Sequence, residues 1–420
     1  MSPIAQRLPA AFRERDFTLL WLALLATVGA TQMVQVAVGW QVYSLHHRAF
    51  DLALIGLAEF VPLPLLALPM GQLADRLPRA RLLAVASLLE AGLFGLLLAI
   101  TLRGTHVLWP YLLVAAGTGV ASSLGAPAGR SMVPELVADE LLQSAMALRS
   151  IALEVATVGG PAVGGLIFAV EPAAVYAIAV ALSVIGCGAM LGVRSAAAVK
   201  AELGAPRLPG LQGLLDGLHF VRATPVLLGA ITLDLFAVLF GGAVALLPLF
   251  AQSILHTGPF GLGILRSAPA VGALVAGAWL VRRPLARHAG RTLLQVVGVF
   301  GVSIVVFGFS RWFLLSLAAL AVSGFVDMFS MNIRSTTVAL ATPNAVRGRV
   351  VAVEMVFISA SNELGAFESG AAAALLGAVP AVVAGGAITI ALALVWNRVF
   401  PALGAVDRLE EVTAGPAVAD

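Results

Sequence analysis

The chain alternates long apolar runs with short polar breaks, and this pattern predicts a bundle of membrane-spanning helices. Twelve runs of roughly 20 to 28 residues are separated by proline, glycine and charged residues. They cover residues 17–45, 52–74, 82–102, 107–130, 144–170, 173–194, 225–252, 259–281, 292–310, 312–335, 350–377 and 379–400. A helix rises about 1.5 Å per residue, so each run is long enough to cross about 30 Å of hydrocarbon. The period-two alternation of strands does not occur in these runs.

The composition supports an all-α membrane protein. Hydrophobic residues make up 60% of the 420 residues and charged residues only 11%, whereas soluble domains are about 45–50% apolar. The net charge is only +3, and the sequence has no basic patch of the kind that binds nucleic acids. The single cysteine, Cys187, excludes an intrachain disulfide or a thiolate metal site. We therefore expect neither a cofactor nor a nucleic-acid partner.

The positions of the basic residues predict the orientation. Of the 25 Lys and Arg residues, only Arg48, Arg103 and Arg311 fall in loops on one side, and Arg149 and Arg266 fall inside spans. All the others lie in or beside the loops and tails of the opposite side. The positive-inside rule then places both termini in the cytoplasm of a multi-pass protein of the cell (inner) membrane.

The longest polar interruption divides the chain. Residues 195–224 contain an amphipathic piece, LLDGLHFVRATP, that is expected at the membrane interface. This cytoplasmic linker separates an N-terminal six-helix bundle, residues 1–194, from a C-terminal bundle with a short tail, residues 225–420.

The two halves share spaced residues. Gly56, Glu59 and Pro62 recur 207 positions later as Gly263, Arg266 and Pro269; Arg130-Ser131 recurs as Arg334-Ser335; and the pair Gly160 and Gly165 recurs as Gly365 and Gly370. Three matches at nearly one offset indicate a duplicated six-helix unit. Many transporters are built in this way, with the substrate site between the repeats.

The segment GQLADRLPRARLL, residues 71–83, places four charges between two apolar runs. Gly71 permits close approach of a neighbouring helix. Asp75 can face the positive N-terminal end of another helix, and Arg76 and Arg79 can pair with it or with anionic headgroups. The cluster is either a conformational latch between helix ends or a positive-inside loop that only fixes topology.

This segment resembles the cytoplasmic loop signature of the major facilitator superfamily, although Pro78 and Ala80 depart from it. GGPAVGG, residues 159–165, resembles the span-5 motif of its antiporter branches. PNAVRGRV, residues 343–350, and LLDGLHFVRATP resemble the branch of the enterobactin exporter and related drug:proton antiporters. The resemblance implies two pseudo-symmetric six-helix bundles that work by alternating access, with a monomer as the default.

The resemblance also implies roles for particular residues. Asp75 would pair with Arg130 and the start of span 11 and so stabilise the outward-open state. The second-half counterpart, RRPLARHAGR, contains no aspartate, so only the first half would carry this latch. Gly160, Pro161, Gly164 and Gly165 would shape a bend and close packing at the interface of the halves; packing without a gating role is the alternative.

Eight of the 22 acidic residues lie inside the predicted spans: Glu59, Glu90, Glu154, Asp234, Asp327, Glu354, Glu363 and Glu368. A carboxylate at mid-bilayer costs about 2.5–3.5 kcal/mol on insertion scales, so such residues are candidate proton sites. Glu354 is near a helix start, where the dipole and cytoplasmic water explain it. Glu59 and Arg266 would line a wet vestibule.

The leading proton-coupling candidates are Asp234 on span 7, Asp327 on span 10 and Glu154 on span 5, in that order. Asp234 is about 14 Å into the hydrocarbon, and spans 1, 4, 7 and 10 line the cavity in the superfamily. The alternative is a static ion pair of a buried acid with Arg149, Arg266 or Arg334.

Candidate substrate contacts come from spans 1, 7 and 10. They are Thr31, Gln32, Gln35, Phe236, Met331 and Arg334. Thr31 and Gln35 share a helix face, and the aromatic and methionine side chains suit an amphipathic ligand. The alternative is ordinary helix packing.

The sequence predicts a secondary transporter that exports a small amphipathic molecule, drug-like or siderophore-like, in exchange for protons. A proton-independent facilitator or lysophospholipid flippase is the first alternative. A non-transporting membrane sensor or scaffold is the second. An enzyme is not expected, because the chain contains neither a nucleotide-binding GxxxxGK[ST] loop nor the HExxH and GxSxG motifs.

Overall fold

A computed structural model describes residues 10–105, 107–194, 211–283, 288–343 and 346–407. This part of the chain contains fourteen α-helices of at least 12 residues. They are α1 (Arg15–His46), α2 (Ala49–Phe60), α3 (Pro62–Arg76), α4 (Arg79–Leu102), α5 (Trp109–Ser131), α6 (Leu142–Val170), α7 (Pro172–Leu191), α8 (Leu211–Ala223), α9 (Pro225–Phe240), α10 (Gly258–Arg282), α11 (Ala289–Phe309), α12 (Phe313–Ala341), α13 (Arg347–Leu376) and α14 (Ala378–Val399).

The helices supply the twelve predicted spans. Eleven stretches of the described chain are long and apolar enough to cross a membrane. The twelfth span is α5, whose 23 residues extend over about 34 Å. The predicted all-α, twelve-helix membrane fold is confirmed.

Two predicted spans are broken rather than continuous. The span predicted at 52–74 is divided between α2 and α3, because Pro62 lacks an N–H and begins a new helix. The span predicted at 225–252 leaves the α-helix after Phe240, at Gly241 and Gly242, and continues as short 3₁₀, α and π turns to Ile254. A Cβ on Gly241 would overlap the ring of Phe300, so glycine permits this close passage.

The described contacts divide the chain into two compact units. Unit 1 comprises Met1–Leu45, Val61–Arg207 and Pro259–Gly263. In it, α4 packs between α5 and α7, and α3 packs on α5. Phe17 and Leu20 of α1 lie in a buried cluster with side chains of the neighbouring helices.

Unit 2 comprises His46–Phe60, Leu208–Gly258 and Ile264–Asp420. In it, α11 packs on α12 and α14, and α13 packs on α2, α8 and α9. The indole N–H of Trp396 donates to the carbonyl oxygen of Gly229 at 2.9 Å and ties α14 to α9. The helix α8 carries the predicted amphipathic piece, but it docks on α13, with Phe220 and Val221 buried.

The internal repeat is visible as the same contact in each unit. In unit 1, a Cβ on Gly263 would overlap the Pro161 carbonyl oxygen. In unit 2, a Cβ on Gly56 would come within 3.1 Å of Ala366 Cβ. Gly56 corresponds to Gly263 in the repeat, and Pro161 corresponds to Ala366. The predicted pseudo-symmetry is thereby confirmed, whereas the division at 195–224 stays a prediction, since residues 195–210 lie outside the described chain.

Candidate functional site

A buried ion pair joins α9 to α12 in unit 2. The guanidinium of Arg334 donates to the carboxylate of Asp234, and its Nε donates to Ser330 Oγ at 3.2 Å. Asp234 is 7% exposed and Arg334 is 6% exposed. Two formal charges are therefore held inside the helical unit, away from bulk water.

The pair lies well inside the membrane-spanning length. Asp234 is nine residues after the start of α9 at Pro225, which is about 14 Å along the axis. Arg334 is seven residues before the end of α12, about 10 Å along it. Side chains in a helix lean toward its N-terminus, so the guanidinium extends deeper, toward the level of Asp327.

Two further carboxylates act on the same guanidinium. Arg334 attracts Asp327, which lies at the centre of α12, about 21 Å from either end. It also attracts Glu354 of α13, which is seven residues into that helix and therefore near the level of Arg334. The charge of Asp234 repels both. Three carboxylates from three helices thus interact electrostatically with one arginine, which forms an ion pair with Asp234. Glu354, which the sequence analysis explained by its helix start, belongs to this group.

A small cavity lies beside the cluster. Its volume is about 10 Å³, and Asp234, Asp327 and Ser330 line it together with apolar side chains. This is the space of about one water molecule. Its three polar side chains can form hydrogen bonds with a water there.

The predicted substrate contacts of spans 7 and 10 have different surroundings. Phe236 packs on Trp396, with ring centroids 6.0 Å apart, and stacks with Phe240. Met331 is 48% exposed and lies one turn from Asp327, which is also on the exposed side of α12. Arg334 follows Asp327 by seven residues, close to the same angle around α12, but its side chain is buried. The acid and the methionine of span 10 are therefore exposed, whereas its arginine is buried in the ion pair with Asp234.

The predicted substrate contacts of span 1 lie on α1 in unit 1. The hydroxyl of Thr31 donates to the Thr27 carbonyl of its own helix at 3.0 Å. Gln32 and Gln35 are half-buried. Among these three side chains, Gln32 has a role in helix packing, because its Cβ lies against α6.

The glycines of GGPAVGG bring α6 onto α1. A Cβ on Gly160 would come within 2.7 Å of Gln32 Cβ, and one on Gly164 within 2.7 Å of Met33 Cα. Pro161 lies inside the uninterrupted helix α6. Close packing within unit 1 is therefore one role of this motif.

Only part of the predicted latch can be described. The backbone is helical at Gly71, Asp75, Arg76 and Arg130, but their side chains lie outside the described residues. Arg79, at the start of α4, forms an ion pair with Glu135, and the two side chains are 23% and 21% exposed. Sequence reasoning missed Glu135; its position just after Pro134, in the first turn of a short helix, was the available signal.

The remaining acids occupy separate places. Glu154 is half-buried on α6 of unit 1. In unit 2, Glu59 and Glu363 both attract Arg266. The two residues expected in a wet vestibule therefore interact electrostatically with a third charged residue, on α13. No group of His, Cys, Asp and Glu suited to a metal ion occurs among the described residues.

A match to a protein family over nearly the whole chain identifies the family of this protein. Residues 8–417 match a family of the major facilitator superfamily that is described as transmembrane secretion effectors. The chain belongs to this family. The predicted resemblance to the major facilitator superfamily is confirmed, and the chain is a multi-pass membrane transporter.

Relatives of known function agree with this assignment. The enterobactin exporter EntS of Shigella dysenteriae serotype 1 (strain Sd197) is 28% identical over 342 residues, covering 80% of this chain and 79% of the relative. EntS of Escherichia coli O139:H28 (strain E24377A / ETEC) has the same identity and coverage. The family and these relatives are transporters rather than enzymes.

Solved structures show the same fold at low identity. The nucleoside transporter NupG superposes with a TM-score of 0.69 at 13% identity, over 93% of this chain and 99% of that one. A bacterial homologue of the iron transporter ferroportin, in an inward-facing state, gives 0.67 at 18% identity, with the same coverage.

Proposed function

We propose that this transporter exports a small amphipathic molecule by alternating access and is driven by protons that enter through the acidic cluster around Arg334. The observation that carries the proposal is the unequal charge of this cluster. Asp234 forms an ion pair with Arg334, and the same guanidinium attracts Asp327 and Glu354. The carboxylates repel one another and share one cation, so the excess negative charge of the cluster favours proton uptake.

The ion pair suggests how uptake of a proton changes the partner of Arg334. With Arg334 bonded to Asp234, the carboxylate at the centre of α12, Asp327, is the favoured proton acceptor. Protonation of Asp234 in turn releases the guanidinium toward Asp327 or Glu354. Since the three acids lie on α9, α12 and α13, each exchange of partner changes the attraction between helices. Glu154 of unit 1 remains a secondary candidate.

The exposed side of α12 supports an amphipathic substrate. Asp327 and Met331 lie one turn apart there and offer a carboxylate beside a polarisable apolar side chain. The relatives are named as exporters of enterobactin, and catecholate siderophores therefore join drugs and dyes as substrates to test. We place both termini in the cytoplasm and the chain in the inner membrane as a monomer; the arginine asymmetry of the loops supports the orientation.

A gradient-independent facilitator or flippase is the alternative that a static Asp234–Arg334 pair would favour. In that case the acids would hold the helices together without exchanging protons. A sensor or scaffold would show no flux at all.

Purified protein in proteoliposomes with an imposed pH gradient tests the proposal. Accumulation of dyes, drugs and catecholate siderophores is measured for the wild type, Asp234→Asn, Asp327→Asn and Glu154→Gln. The matched control is Asp216→Asn, which removes an exposed carboxylate of α8 that bonds to Arg349.

We expect a gradient to drive accumulation in the wild type and the control. Asp327→Asn should abolish the gradient-driven part and leave substrate exchange without a gradient intact. Flux that ignores the gradient, with both aspartate variants like the wild type, would make the acids structural and favour the facilitator or flippase.

A further inference from the structure

A large cavity lies in unit 2, apart from the acidic cluster. Its volume is about 660 Å³, within the range of small-molecule sites. It is bounded by the short link between α1 and α2, by the end of the broken span after α9, and by the turn from α13 to α14. Leu249, Ile254 and Val379 form much of its apolar wall.

Small residues keep this space open. Ala373, Ala374 and Gly377 line it at the end of α13. Gly377 has φ +89°, which allows α14 to begin directly after α13 without an intervening loop. The tight turn leaves no side chain long enough to fill the cavity from this side.

The polar end of the cavity is cationic. His47 and Arg48 line it, and no carboxylate is among its described lining residues. The nearest acid in sequence, Asp51, is buried and bonds to His46 at 2.8 Å. No ion pair of Arg48 occurs among the described residues. The guanidinium at the rim is therefore available to an anion.

The backbone contributes partial charges of both signs at the cavity. The helices α2 and α14 both begin at the cavity, at Ala49 and Ala378. The first N–H groups of a helix lack intrahelical acceptors, and they carry the positive end of its dipole. The helices α1 and α13 end beside the cavity, at His46 and Leu376, and bring the negative ends of their dipoles there, so the positive charge of the site comes from Arg48.

The location makes Arg48 unusual. It is one of only three basic residues in the loops of the side that the arginine asymmetry assigns to the exterior. The link between α1 and α2 and the turn from α13 to α14 are helix ends, which in a bilayer lie at the level of the lipid headgroups. The charge of Arg48 is complementary to the anionic headgroup of a lipid, and the apolar wall of the cavity is complementary to an acyl chain.

We propose that this cavity binds an anionic phospholipid of the leaflet on that side, with the phosphate at Arg48 and an acyl chain along Leu249, Ile254 and Val379. The site is distinct from the proton-coupling cluster and does not depend on what the transporter exports. Lipid bound there would occupy the junction of α2, α13 and α14.

Native mass spectrometry of the full chain in detergent tests the proposal. The protein is incubated with an equimolar mixture of phosphatidylglycerol and phosphatidylcholine with identical acyl chains, and bound lipids are counted. Arg48→Ala removes the cation, and Ala374→Phe fills the space from an exposed position. The controls Arg103→Ala and Arg311→Ala each remove a basic residue from another loop of the same side.

We expect the wild type and both controls to favour phosphatidylglycerol by roughly five-fold, the preference that one basic residue near a membrane surface supplies. Arg48→Ala should reduce the preference to about one, and Ala374→Phe should lower the binding of both lipids. Equal binding of the two lipids by the wild type, or a preference that survives Arg48→Ala, would overturn the proposal. Complete displacement of the lipid by inorganic phosphate would also overturn it, because the site would then bind a free anion.

Discussion

Gly165 of α6 and Gly263 of α10 meet backbone to backbone. A Cβ on Gly165 would come within 3.1 Å of Gly263 Cα and within 2.5 Å of the Pro259 carbonyl oxygen. Both obstacles are main-chain atoms, which cannot turn away as a flexible side chain can. Glycine is therefore required at this contact by space rather than by backbone conformation.

Gly165→Ala should destabilise the protein by about 1–3 kcal/mol, because overpacking forces the two helices apart. The measurement is the thermal unfolding midpoint in detergent. Gly159→Ala and Gly188→Ala are matched controls, since a Cβ at either position meets nothing within 4 Å. These two should be neutral or stabilising by up to about 1 kcal/mol, the helix preference of alanine over glycine. Equal losses at all three positions would contradict the close contact.

Arg334→Gln should cost about 3–5 kcal/mol, because it leaves the buried carboxylate of Asp234 without its partner. The double variant Arg334→Gln with Asp234→Asn should recover much of that loss, since no uncompensated charge of the pair remains. Thermal unfolding of the two single variants and the double variant measures the coupling. If the effects simply add, the two residues do not form a functional pair.

Tyr176→Phe should cost about 1–2 kcal/mol. The fully buried hydroxyl of Tyr176 donates to Gln41 Oε1 at 2.7 Å, and Gln41 also bonds to Thr101. Loss of the hydroxyl leaves the amide oxygen of half-buried Gln41 with fewer partners.

Tyr111→Phe provides the comparison for this change. Tyr111 is equally buried, and its hydroxyl has no hydrogen-bond partner among the described groups. The same chemical change there should be neutral or slightly stabilising in thermal unfolding. A larger loss at Tyr111 than at Tyr176 would contradict this hydrogen-bond assignment.

Arg79→Gln and Glu135→Gln should each lower stability by about 1 kcal/mol or less, because the ion pair is partly open to solvent. The double variant should cost no more than either single one. Exposed Arg81 is the control, and Arg81→Gln should change nothing measurable. Thermal unfolding at low and high salt would show screening of the Arg79 and Glu135 effects only. Losses that add up in the double variant would exclude a direct pair.

Much of the fold could be predicted because hydrophobic run length is a local property of the chain. Even the breaks had visible causes: Pro62 interrupts the second span, and Gly241-Gly242 the seventh. Glu354 was interpreted from its own helix start alone, yet it belongs to a group that α9 and α12 complete. The sequence left three arginines open as the charged partner of Asp234, namely Arg149, Arg266 and Arg334.

The sequence by itself determined the membrane class, the number of spans and the internal repeat. In hydrocarbon every backbone polar group must be hydrogen-bonded within the protein, so a long apolar run that crosses the membrane forms a helix. Only the tertiary structure decided that Arg334 pairs with Asp234, that Arg79 pairs with Glu135, and that Arg48 lies over an apolar cavity. Those relations join residues on different helices. Their distances follow from how the helices pack, and no local pattern along the chain records that packing.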